Sequence, residues 1–309
     1  MDSLLVAMRF VQFLSMMILF GSALYPYYAL DRAPGNGSAR TEYAAFLQRV
    51  ALAAGVCGLS SAIVWLGVEA AEMSGSTNAW HNAGVIATVL NETEFGRTWR
   101  WRLVGLILLP AVLIWRTRAN ANKAPTTLIP LLFGLVLLTG LAGVGHGAMG
   151  LGFGAWVHLG NQAVHFLAAS VWVGGLYPLY RTLARADYDL AIKRRALQRF
   201  SAVGFAAVLL IIASGLLNSW FLVGSIHALF FTMYGRLLLL KVFFFLSMVA
   251  LALVNRLCLM PRLDANAAGT KSLGLLLGTV GAEFILAVLV VATVSILGNL
   301  MPAMDGMLM

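Results

Sequence analysis

Five histidines (His81, His146, His158, His165 and His227) and a tail reading LMPAMDGMLM are the side chains of this 309-residue chain whose types could do chemistry. Four candidates, His146, Met149, His158 and His165, share one glycine-studded stretch, GLAGVGHGAMGLGFGAWVHLGNQAVHFLAASVWVGGL. His158 and His165 are i and i+7, hence on one helical face and roughly 10.5 Å apart along the axis. That spacing suits successive positions on a path better than two ligands of one ion. The glycines from 140 to 154 let the backbone fold tightly and return His146 and Met149 over His158 or His165; close helix packing through small residues explains them equally well. Met301, Met304, Met307 and Met309 follow the last apolar run, where burial gives no reason for methionine, although a lipid-facing plug is the ordinary alternative. Imidazole with thioether selects soft Cu(I), whereas Zn favours thiolate or carboxylate sets and Mg or Ca needs oxygen cages. The candidate metal ligands are therefore His146, His165, His158, His81, Met149, Met301, Met304 and Met307. Any single histidine also has a plain reading as an interfacial or satisfied core residue.

Lipid-spanning helices must position these groups. With 61% hydrophobic residues, 11% charged and a mean hydropathy of +0.87, the composition lies far from that of a water-soluble fold. It predicts an all-α polytopic membrane protein in contact with membrane lipids and sets aside soluble enzymes and nucleic-acid partners. Apolar runs near 20 residues long predict eight transmembrane helices in one membrane domain over 1–309, at about 3–30, 44–71, 98–116, 126–146, 155–180, 199–223, 233–256 and 274–299. The segment from Gly84 to Trp99 reads as a short interfacial helix leading into span 3. The first apolar stretch lacks the basic start of a signal peptide and reads as a retained span. Cys57 and Cys258 form no CxxC or metal-spaced set. Spans 1–4 and 5–8 show no clear sequence repeat.

The formal charge of +9 is topological information. Most Lys and Arg residues cluster in the odd loops, as in Arg181, Arg185, Lys193, Arg194, Arg195 and Arg199 between spans 5 and 6. Cytoplasmic loops retain basic residues, so both termini are expected on the periplasmic side and all five histidines in the outer half. Two opposite charges, Lys241 in span 7 and Glu283 in span 8, count to similar depth. They are expected to form an intramembrane charge pair joining those helices, with a proton or cation relay as the alternative.

Several segments, in order along the chain, resemble the bacterial copper resistance protein D (CopD) family. They are TEFGRTWRWRL at 93–103, HFLAASVWVGGL at 165–176, RFSAVGFAAVLLIIASGLLNSW at 199–220, YGRLLLLK at 234–241, NR at 255–256 and LGNLMPA at 297–303. The resemblance implies an eight-helix inner-membrane protein of copper homeostasis that passes copper inward, working with a periplasmic copper-binding protein. It also carries a copper-handling role onto His146 and His165, while His158 follows by proximity. Where many relatives have a histidine near the start of span 1, this chain has Gln12.

The expectation is a transport protein, not an enzyme, that collects copper, Cu(I) in preference, at an outer His/Met vestibule and releases it inward. Two alternatives share these features. One is a membrane electron-transfer protein holding b-type haem between two histidines such as His146 and His165. The other is a non-transporting membrane partner of a periplasmic copper protein.

Overall fold

The computed structural model describes residues 2–30, 37–118, 127–144, 153–223, 225–264 and 266–300, and these are helices and short connections without a strand. In hydrocarbon no water is present to satisfy backbone groups, so each apolar run must close its hydrogen bonds internally. The helices are α1 (Asp2–Ala29), α2 (Gly37–Ser74), α3 (Ala83–Glu92), α4 (Glu94–Arg118), α5 (Leu128–Ala142), α6 (Phe153–Ala184), α7 (Leu190–Val223), α8 (Ile226–Phe231), α9 (Met233–Val254) and α10 (Asn266–Leu297). Seven are long and apolar enough to cross a membrane, namely α1, α2, α4, α6, α7, α9 and α10. The expected fourth span appears as α5, an apolar helix of 15 residues, below the roughly 20 that hydrocarbon needs.

Helix α1 lies at the centre and packs against α2, α5, α6, α7 and α10. It is joined most closely to α6. A Cβ on Gly21 would lie 2.1 Å from the Ser170 carbonyl oxygen, and one on Gly174 would lie 2.0 Å from that of Met17, so only glycine permits the two backbones to touch. Large apolar side chains of α7 and α9, among them Phe205, Leu216, Phe243 and Leu246, face outward as lipid requires.

The expected interfacial helix is two elements. Asn82 caps α3 by accepting from the backbone N–H of Gly84 and Val85, and the chain turns at Thr93. The Thr93 hydroxyl donates to the Val89 carbonyl (2.7 Å) and accepts from Gly96 N–H (2.9 Å), closing α3 and opening α4. Thr232 does the same between α8 and α9. At the opposite end, Arg185 bonds both Asp187 (2.6 Å) and Glu42 (3.1 Å), which ties the α6–α7 turn to the first turns of α2. The hydrogen bond from Arg185 holds the Asp187 carboxyl below its usual range.

Candidate metal site

One face of α6 carries His158, Asn161, Gln162 and His165 at i, i+3, i+4 and i+7, and it meets α7. The seam is a ladder of polar side chains. Asn161 Nδ2 donates to the Ser214 carbonyl (3.0 Å) and to Asn218 Oδ1 (2.8 Å), and Asn218 Nδ2 donates to Gln162 Oε1 (2.8 Å). Buried amides in lipid need such partners, and these fix the rotation of α6 against α7. His158 is 5% and His165 9% exposed.

His165 Nδ1 lies 2.8 Å from Ser214 Oγ. The single hydroxyl proton of Ser214 is already directed at the Leu210 carbonyl (2.5 Å), so Ser214 can only accept from the ring. This places a proton on Nδ1, so that in the neutral ring Nε2 is the nitrogen with the lone pair. A hydrogen bond at one ring nitrogen that leaves the other as a base is the arrangement that orients a metal-binding imidazole. Gly215 packs beside the ring edge, its Cβ position 3.7 Å from His165 Cε1.

A second polar group lies between α1, α2 and α4. Gln12 is fully buried. With its amide turned to satisfy its neighbours, its nitrogen donates to Ser61 Oγ (2.7 Å) and to the Gly58 carbonyl (2.7 Å), and its oxygen accepts from Arg102 (2.5 Å). Arg102, 3% exposed, also donates to the Leu137 carbonyl of α5. Its guanidinium lies 5.3 Å from the Trp99 ring centroid, and Trp99 Nε1 donates to the Ala62 carbonyl (3.1 Å). Among the described residues this buried guanidinium has no carboxylate partner and is held by carbonyls and an aromatic face.

The expected Lys241–Glu283 pair is not formed: among the described residues no ion pair joins them. Glu283, 2% exposed, accepts from Asn255 Nδ2 (2.6 Å), and Thr279 Oγ1 donates to Asn255 Oδ1 (2.5 Å). Helices α9 and α10 are antiparallel, so Glu283 is level with Asn255, and Lys241 stands 14 residues earlier on α9. That separation is roughly 21 Å along the axis. Lys241 is instead the charged neighbour of His165.

His146, Met149, Met301, Met304 and Met307 lie outside the described residues. His81 is exposed at the end of the 3-10 turn Thr77–His81, its ring against Trp80, and His227 is exposed and stacked on Phe231. Among the described residues no three His, Cys, Asp or Glu side chains converge as a metal site. The described part of the site is therefore His165 with its supporting serine, and His158 one step along the same face.

Comparison with known proteins decides the affiliation. Residues 1–156 match the copper resistance protein D-like N-terminal domain, and residues 194–297 match the copper resistance protein D family. Copper resistance protein D of Pseudomonas syringae pv. tomato is 30% identical, over 99% of both chains. This chain belongs to the copper resistance protein D family. Inner membrane protein YebZ of Escherichia coli K12 is 33% identical over 84% of this chain and 85% of its own. Copper transport protein CutJ of Bacillus subtilis is 31% identical over 60% of this chain and 34% of its own length. No solved structure matches.

Ser214, Asn161, Gln162, Ser61 and Arg102 are polar partners that the sequence did not point to. Their signal was available on α6, where Asn161 and Gln162 occupy the i+3 and i+4 positions between His158 and His165.

Proposed function

We propose that the protein is an eight-span copper transport protein of the bacterial inner membrane with both termini periplasmic, and that His165 is a Cu(I) ligand on the outer part of the path. The observation that carries the reading is the His165–Ser214 hydrogen bond on a buried helix face, which engages Nδ1 and makes Nε2 the ligand nitrogen of the neutral ring. Family membership supports copper as the cargo, and CutJ is named as a copper transport protein. Imidazole and thioether ligands fit a soft monovalent ion. The transmembrane path is a sequence of loose stations, with His158 beside His165 and the methionine tail as the outer collector. A carrier must release what it binds, so a closed four-ligand cage would defeat it. Transport in this form needs no catalytic group, and a periplasmic copper-binding protein is the expected donor. The haem alternative needs a second imidazole facing His165, and its candidate, His146, lies outside the described residues.

The test is Cu(I) uptake into proteoliposomes containing a chromophoric Cu(I) chelator. Wild-type protein is expected to load the chelator, and His165→Ala to insert normally and transport at least tenfold more slowly. Equal rates would remove His165 from the path. A Soret band in the purified protein would favour the haem reading, and copper binding without flux would favour the non-transporting partner.

A further inference from the structure

The two polar groups described above have the same construction. Gln12 donates through its amide nitrogen to Ser61 Oγ, and His165 donates through Nδ1 to Ser214 Oγ; each pair is 49 residues apart in sequence. Each serine passes its proton back to its own helix, Ser61 to the Gly58 carbonyl and Ser214 to those of Leu210 and Ile211. Gln12 to His165 and Ser61 to Ser214 are both steps of 153 residues.

The same step relates residues that touch one another where α1 meets α6. The rings of Phe13 and Phe166 lie 5.4 Å apart. Gly21 and Gly174 face each other, Gly21 against the Ser170 carbonyl and Gly174 against that of Met17. Phe13 with Phe166, Met17 with Ser170, and Gly21 with Gly174 are all 153 residues apart. A patch in which a residue meets its own equivalent, and the two cross-contacts are reciprocal, is what a two-fold axis produces.

The third helix of each half follows suit with a shorter step, because the loop before it is longer in the first half. TEFGR at 93–97 corresponds to TMYGR at 232–236. In both, the threonine closes a short helix and opens a long one. The glycine is seated on the preceding turn, with Cβ positions 2.0 Å from the Val89 carbonyl oxygen and 2.3 Å from that of Leu229. Nine residues beyond the threonines stand Arg102 and Lys241. Arg102 bonds Gln12, and Lys241 is the charged neighbour of His165.

We infer that the chain is a tandem duplication of a four-helix unit about a pseudo-two-fold axis through the α1–α6 contact, and that Gln12, Ser61 and Arg102 are a second copy of the His165, Ser214 and Lys241 station. The first copy is a latent Cu(I) site. Its ligand position holds an amide whose nitrogen and oxygen are both used by neighbours, where the second copy presents a bare imidazole nitrogen to a soft ion. Four spans per unit give both halves the same sense across the membrane, so the axis runs along the membrane normal. The choice of Cu(I) rests on the reading of His165 as a copper ligand; the equivalence of the two stations does not.

The test is Gln12→His in full-length protein in detergent or liposomes, read in two ways. Nitrogen-15 spectra of histidine-labelled protein report the tautomer without any metal, and the introduced imidazole is expected to show the same Nδ1-protonated form as His165. Competition with a chromophoric Cu(I) chelator is expected to show one more bound equivalent than wild type. It is also expected to return in Gln12→His/His165→Gln the equivalent that His165→Gln loses. Matching tautomers with no copper at either position would uphold the duplication and overturn the copper reading. An Nε2-protonated or charged imidazole at position 12, beside a copper-binding His165, would overturn the equivalence. If Gln12→His fails to fold, Gln12→His/Arg102→Lys copies the second station residue for residue; failure of that variant to fold also counts against equivalence, since like sites accept like side chains.

Discussion

Asn255 Nδ2 donates to Glu283 Oε1 at 2.6 Å, and with the bond that Asn255 accepts from Thr279 it joins the end of α9 to α10. Asn255 opens a π-turn, Asn255–Leu259, at the end of α9. Such a turn rotates the side chain relative to a regular helix and is frequent at functional positions. The Glu283 carboxyl receives the Asn255 amide and no cation among the described residues, so it is held as an acceptor without a salt bridge.

Glu283→Ala should destabilise the protein by about 1–3 kcal/mol by leaving Asn255 without its acceptor. Glu283→Gln, which keeps an oxygen there, should cost less. A double-mutant cycle between Lys241→Met and Glu283→Gln should be additive to within about 0.5 kcal/mol. Thermal unfolding in detergent measures all of these, and a larger coupling would restore the ion pair.

Gly174→Leu should separate α1 from α6. Its Cβ would lie 2.0 Å from a backbone oxygen and 2.9 Å from Gly21 Cα, so a helix must move. A loss of about 1–3 kcal/mol or more is expected. Gly204→Ala, whose Cβ would meet nothing within 4 Å, is the control and should unfold with wild type.

Ser214→Ala should weaken Cu(I) binding about 10- to 100-fold while leaving the bundle folded, because the Nδ1–H that orients the ring loses its acceptor. Chelator competition measures this. Unchanged affinity would show that the serine does not support the ligand.

Cys258 and Cys57 are both exposed on their helices, Cys258 in the π-turn and Cys57 within the span of α2. In the proposed topology a membrane-impermeant maleimide should label Cys258 only from the cytoplasmic face of sealed vesicles, and Cys57 from neither. Labelling of Cys258 in intact spheroplasts would invert the proposed topology.

Much of the fold was legible in the sequence because hydrocarbon imposes a one-dimensional rule. Span 3–30 is α1 Asp2–Ala29, and span 233–256 is α9 Met233–Val254. The short helix before span 3 was legible as well, but its break at Thr93 was not. That break depends on a hydroxyl bonding two backbone groups at once, which residue type alone does not reveal.

The candidate site was legible only in part. The two histidines of α6 stood out by residue type, whereas the Ser214 that assigns the tautomer of His165 lies 49 residues away on another helix. The internal repeat also escaped the sequence. Identities between the halves are few, and the meaningful correspondences exchange Gln12 for His165 and Arg102 for Lys241. Counting depth from span ends placed Lys241 and Glu283 level, but α10 begins at Asn266, well before the expected boundary at 274.

By itself, then, the sequence determined that this chain is a helical membrane protein and which helices carry histidine, because burying apolar surface and closing backbone hydrogen bonds in lipid are local requirements. Only the tertiary structure decided which polar groups meet. Helix rotation and register are set by close contacts such as Gly21 with Gly174 and by cross-helix hydrogen bonds such as His165 with Ser214, and such contacts join residues that no local pattern connects.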